Sequence, residues 1–224
     1  MRIACLILFF FSIFSFAQNT ALEIKIDSIT SVDSVKKERK FKINYHIENR
    51  TNNSISFILN PNSIRSNATS SLSYTPAYRL YQEDEVINAD NIFNTKKAKE
   101  SIDKILKDLK FKKGRSKDDL LNEQKIMEAQ TSRDIINSII KLNPKEVKEY
   151  SIVLDWDRNR YLNYFDNEYY LDEKATHYID LCVNLFKDEL KDKLLPADYK
   201  KIMEDKTIIK GTAQSNKKEI NFKE

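Results

Sequence analysis

The period of the apolar residues switches twice along this chain, and that switch limits the possible folds more than any other feature. Leu22, Ile24 and Ile26 alternate with Glu23, Lys25 and Asp27, the two-residue period of a half-buried strand. Phe41, Ile43, Tyr45 and Ile47 repeat the pattern, and Ile55, Phe57 and Leu59 resume it after the turn-forming run Asn49 to Asn53. Residues 41–59 therefore predict a β-hairpin. A weaker strand pattern runs from Leu72 to Tyr81.

From about Thr95 the period becomes helical. Ala98, Ile102, Ile105, Leu106 and Leu109 recur at three and four residues. Glu100, Asp103 and Asp108 each precede a lysine by four positions, the favourable helical order. Gly114 interrupts, and Ser116 with Asp119 offers an N-terminal cap for a second helix. Its apolar stripe runs through Leu120, Met127, Ile135, Ile139 and Leu142 to Pro144, with Thr131-Ser132 as a candidate break. The spacing thus predicts a helical hairpin over about 95–142. Alternation returns at Tyr150, Ile152, Leu154 and Trp156, and again at Ile179, Leu181, Val183 and Leu185. Pro196 opens a short helix through Met203. Thr207–Gln214 and Glu219–Phe222 read as final strands separated by a turn at Ser215-Asn216.

The first seventeen residues read as an export signal. Arg2 precedes the apolar run Ile3 to Phe16, and Ser15-Phe16-Ala17 places small residues at −3 and −1. That run, about fourteen residues long, falls short of the ~20 that span a bilayer. Residues 1–17 are thus a predicted signal peptide and 18–224 a single exported domain, periplasmic or secreted, with no membrane segment after cleavage. Cys5 leaves with the signal, so Cys182 has no internal disulfide partner.

Strands, a helical insertion and strands again imply sheets completed by distant segments, which suits a two-sheet sandwich. Residues 41–59, 142–156 and 175–186 carry a resemblance. Asn49-Arg50-Thr51-Asn52 fits an N-x-T-N strand ending, and Leu142-Asn143-Pro144-Lys145-Glu146 an L-x-P-x-E lead-in. Together these segments resemble an immunoglobulin-like sandwich of bacterial exported proteins. The resemblance implies a mainly β fold, an immunoglobulin-like antiparallel sandwich, into which the helical spacing places an inserted α-helical hairpin. It carries over no functional residue.

Composition removes several chemistries. The chain of 224 residues has only 2 Gly and 2 His. Phosphate-cradling loops need clustered glycines, and multi-histidine metal sites need more than His46 and His177. No G-x-S-x-G presents a serine. His177 and Cys182, five apart on one predicted strand, point to opposite faces and cannot act as base and nucleophile. His46 falls on the polar face of its strand. A carboxylate pair such as Asp155 and Glu168 is the one arrangement left for a hydrolase. Catalysis is not the expectation.

Three surfaces are candidates for binding. Asp155, Asp157, Asn159 and Asp166 have the spacing of a loop that converges oxygens on calcium. Arg160 occupies the position where the tight turn wants glycine, and Arg158 and Arg160 offset the carboxylates, so an ordinary polar loop is expected and no cofactor is required. Tyr161, Tyr164, Phe165, Tyr169 and Tyr170 form an aromatic cluster suited to recognition or to anchoring a long loop. Lys96 to Lys117 holds ten basic and three acidic residues, and Lys104, Lys107 and Lys110 mark the basic face. With few interleaved aromatics and an exported location, nucleic acid is not the expected partner. The reading is a binding protein for another protein or an envelope component. The alternatives are an inhibitor or immunity-type protein that blocks a toxin or hydrolase, and a carboxylate-dependent hydrolase.

Overall fold

The structure, a computed structural model, describes residues 21–32, 38–66, 73–87, 117–157 and 175–222. Its first sheet is built round β2 (Glu38–Asn49), flanked by β1 (Leu22–Ser31) and β8 (Val147–Asp157), all antiparallel. The alternation in these segments explains the pairing. Ile24, Ile43, Tyr45, Ile47, Ile152 and Leu154 all point to one face and are buried. A second sheet is built round β9 (His177–Asn184). On one side β9 pairs with β5 (Ala77–Gln82), which in turn carries β4 (Arg65–Ser66) and β6 (Glu85–Val86). On the other side lie β10 (Thr212–Gln214) and β11 (Lys218–Ile220). Leu80, Ile179, Leu181 and Val183 face the buried residues of the first sheet and complete one apolar core.

The expected turn at Ser215-Asn216 is a bulge within one line of chain along β9. Thr212 faces Asn184 and Lys218 faces Ile179, so the register slips by a single residue between the two pieces. Ser215 holds the gap by donating its backbone N–H to Leu181 O, 2.8 Å, and its hydroxyl oxygen accepts the Leu181 N–H at 2.8 Å. The slip turns Asn216 toward β1, which has its own register shift between Ile26 and Ser28. Asn216 Oδ1 accepts the Ile26 N–H at 2.8 Å, and Asn216 Nδ2 donates to Ile26 O at 3.3 Å. A side-chain amide thus stands in for a strand backbone, and the two sheets curl together along this seam into a half-barrel.

The expected hairpin over 41–59 does not form. β3 (Ile55–Ile58) pairs with β7 (Ile139–Leu142), and both edges of β2 are occupied by β1 and β8. Buried Asn49 redirects the chain. Its Nδ2 donates to Asn53 O at 2.7 Å, Asn143 O at 2.8 Å and Leu142 O at 3.4 Å, and its Oδ1 accepts from Thr51 N and Thr51 Oγ1. Asn49-Arg50-Thr51-Asn52 and Leu142-Asn143-Pro144-Lys145-Glu146 therefore meet at one corner.

The helix α1 (Lys117–Asn137) runs unbroken through Thr131-Ser132 and stops before β7, so Ile139 and Leu142 belong to a strand and not to a helical stripe. Pairing with β3 outweighs the local helical spacing there. Met127 is exposed, whereas Ile135 is buried among Ile58, Leu190, Leu194, Ile202 and Ile208. The first helix expected for the insertion lies outside the described residues. A 3₁₀ helix (Lys187–Lys193) follows β9, and α2 (Pro196–Glu204) starts at proline as expected. Ser132 of α1 ties the two helical regions: it accepts the Leu195 N–H at 3.0 Å and donates to Asp198 at 2.7 Å.

Candidate functional site

The outward faces of β5, β9 and β10 bring four polar side chains to one point. Arg79 and Tyr81 lie two apart on β5, Asp180 sits opposite Arg79 on β9, and Gln214 comes from β10. The Asp180 carboxylate has no solvent exposure. Arg79 Nε donates to its Oδ1 at 3.0 Å and an Arg79 terminal nitrogen to Oδ2 at 2.6 Å. Tyr81 Oη donates to Oδ2 at 2.8 Å and Gln214 Nε2 at 2.7 Å. A buried carboxylate is tolerated when its lone pairs are occupied in this way, and the fork of an arginine fits it in two parallel bonds.

The surroundings set the chemistry. The hydrogen bond to Asp180 pushes the Arg79 guanidinium further up, against the burial that opposes it. Burial, then the bond to Asp180, pushes Tyr81 up to about 12. Burial also raises the Cys182 thiol, two residues along β9 on the same face. Lys217 stands 4.0 Å from the Tyr81 ring centre and 3.8 Å from Asp84, giving the cluster a cationic rim. At neutral pH the tyrosine and the thiol keep their protons and the carboxylate is engaged by four donors. The arrangement holds three strands in register and presents a polar platform; it supplies no ready proton acceptor.

Sequence reasoning missed this cluster. Arg79 and Asp180 are separated by 101 positions. Both fit the polar half of an alternating strand, which ordinarily faces water. The only available signal was an arginine and an aspartate on the same face of two strands with strong patterns.

The other titratable groups are placed differently. His177 is buried against Phe222, ring centres 5.4 Å apart, on the face opposite Cys182 as the spacing requires. His46 lies on the outer, polar face of the first sheet, with its Nδ1 2.8 Å from Asp27 Oδ1. Lys187 lies beside a cleft of about 10 Å³, room for a single water. Burial pushes its ammonium down, and its Nζ donates to Ile202 O and Asp205 O at the end of α2.

Of the calcium-spaced residues, Asp155 and Asp157 are β8 positions in register with Lys40 and Glu38. Asn159, Asp166, the aromatic residues Tyr161, Tyr164, Phe165, Tyr169 and Tyr170, the lysines Lys104, Lys107 and Lys110, and Glu168 lie outside the described residues. Among the described residues no three His, Cys, Asp or Glu side chains gather as a metal site would need. No helix among them is long and apolar enough to cross a membrane. Comparison of the chain with protein-family models, with curated proteins and with solved structures finds no match.

Proposed function

We propose that the protein is exported and works by binding another protein or an envelope component, without catalysis, on an immunoglobulin-like sandwich. The observation that carries this reading is the Asp180 cluster: a polar constellation of the kind that could serve chemistry spends its donors on joining β5, β9 and β10. The strand partition supports the sandwich. β1, β2 and β8 lie opposite β10, β9 and β5, the division in which an immunoglobulin-like domain sets A, B and E against G, F and C. The sequence pattern of residues 1–17, read as a signal peptide, supports export. On this reading the tyrosine-rich segment 161–170 and the basic segment around Lys104, Lys107 and Lys110 form the contact surface, and no calcium is needed.

The test is capture from cell envelopes with the wild type and two variants, one carrying Tyr161, Tyr164 and Tyr169 changed to Ser, the other Lys104, Lys107 and Lys110 changed to Glu. Circular dichroism first checks that all three are folded. A partner held by the wild type and lost by either variant supports the reading, and a 1:1 complex with a toxin or hydrolase defines the protein as an inhibitor. Turnover of glycan or peptide substrates that disappears with Asp155→Asn overturns it.

A further inference from the structure

The two edges of the first sheet are finished in opposite ways. The β1 edge has a register shift between Ile26 and Ser28 and is covered there by Asn216, devices that stop a strand from recruiting another. The β8 edge has neither. It matches β2 residue for residue from Val147 to Asp157 without a bulge, and among the described residues no strand lies on its second side. The outer face of β1 and β2 is polar, with Lys25, Asp27, Lys42 and His46, whereas β8 places Val147 and Val153 there, 50% and 53% exposed. Apart from Val32 just past the end of β1, 43% exposed, the exposed apolar side chains of this face lie on the open edge, which fits a contact made edge to edge, not face to face.

We propose that this edge pairs antiparallel with β8 of a second copy of the chain, making a continuous six-stranded sheet across a two-fold axis. This goes beyond the binding function proposed above and does not depend on it. Self-pairing restricts the register, because the numbers of facing residues must have a constant sum. Odd sums would place the buried-face residues Tyr150 and Ile152 beside outward ones and break the core face of the joined sheet. Among even sums, 304 sets Glu149 against Asp155 and 302 sets each exposed valine against an acidic residue. A sum of 300 sets Val147 against Val153 twice, Glu149 against Ser151, and Tyr150 on the axis. On the outward face it is the register that matches apolar to apolar and opposes no like charges, while on the other face it sets the exposed Lys148 beside Ile152.

Sedimentation equilibrium of the protein over a wide concentration range reads the association. Val153→Lys, at a position half exposed in the single chain, is expected to weaken the dimer about tenfold, since it disturbs two cross-strand pairs. Register is read by mild oxidation in a Cys182→Ser background. Val147→Cys/Val153→Cys is expected to cross-link between chains, and Glu149→Cys/Val153→Cys, which reports a sum of 302, is not. A wild type that stays monomeric, a dimer indifferent to Val153→Lys, or cross-linking by the second pair instead of the first overturns the proposal. If Val153→Lys fails to fold, the cysteine pairs still decide it.

Discussion

Arg79 and Asp180 meet as a fork on a carboxylate, through bonds of 3.0 and 2.6 Å, with Asp180 sealed from solvent and about a quarter of the Arg79 side chain still in it. That asymmetry fixes an order of costs. Arg79→Ala leaves a buried carboxylate short of its charged partner and is expected to lower stability by about 3–5 kcal/mol. Asp180→Ala leaves an arginine that can turn to water, with Tyr81 losing its acceptor, and is expected to cost about 2 kcal/mol. Urea unfolding of both variants checks the order. A larger loss for Asp180→Ala would show that Arg79 is not what keeps this carboxylate in the sheet.

Asn49 joins the N-x-T-N ending to the L-x-P-x-E lead-in by donating to three carbonyl oxygens and accepting from Thr51. Asn49→Ala removes these bonds at a fully buried position, an expected loss of about 3 kcal/mol. Asn49→Asp changes a single group but turns donors into a carboxylate facing carbonyl oxygens. It is expected to be the less stable variant at neutral pH. Its folded-state pKa would be raised, so its deficit should narrow as the pH falls and the acid regains a proton to donate. Unfolding of both variants at neutral and acidic pH measures this; a pH-independent gap would count against the carbonyl cluster as the cause.

Strands whose period was clean over several residues were legible in the sequence. β1, β2, β8 and β9 fall where alternation places them, because their faces are divided between core and water. Partners were not legible. Nothing in residues 41–59 shows that Asn49 sends the chain to β7, since its acceptors Leu142 and Asn143 lie more than ninety positions away. Ile139 and Leu142 carry a helical spacing that a four-residue pairing with β3 overrides. The one-residue slip at Asn216 is invisible for the same reason: a bulge is defined by its neighbour strand. The Asp180 cluster was hidden because a buried ion pair between strands looks, in one dimension, like two exposed polar residues.

Three tyrosines are expected to make stability fall at high pH. Burial and the bond to Asp180 push Tyr81 up to about 12, burial and Glu146 push Tyr150 up to about 12, and burial with the neighbouring Tyr150 pushes Tyr45 higher still. A raised folded-state pKa means the unfolded chain loses its proton first. The stability these groups contribute is whole below the unfolded value of 10.0 and is lost as the pH climbs toward 12. Phenolate absorbance should show a class of tyrosines that ionises late in the native chain and together with the rest in urea. Tyr45 and Tyr150 stack at 5.4 Å, and their hydroxyl oxygens find no hydrogen-bond acceptor or donor among the described residues. Tyr45→Phe is therefore expected to keep or raise the urea midpoint, and a fall would reveal a polar partner.

Cys182 sits on the outward face of β9 beside the Asp180 cluster, and the same crowding governs its reactivity. Burial raises its thiol pKa, with nearby Arg79 pulling the other way and Asp180 adding to the rise. Its Sγ lies 3.7 Å from Asn184 Oδ1. Because the thiolate is the nucleophile, the native thiol should react with an aromatic disulfide reagent more slowly at mildly alkaline pH than the same residue in urea. Asp180→Ala removes the like-charged neighbour, so it should accelerate the reaction in chain that is still folded. A native thiol that reacts as fast as the unfolded one would mean that β10 and the Arg79 fork do not shield this face.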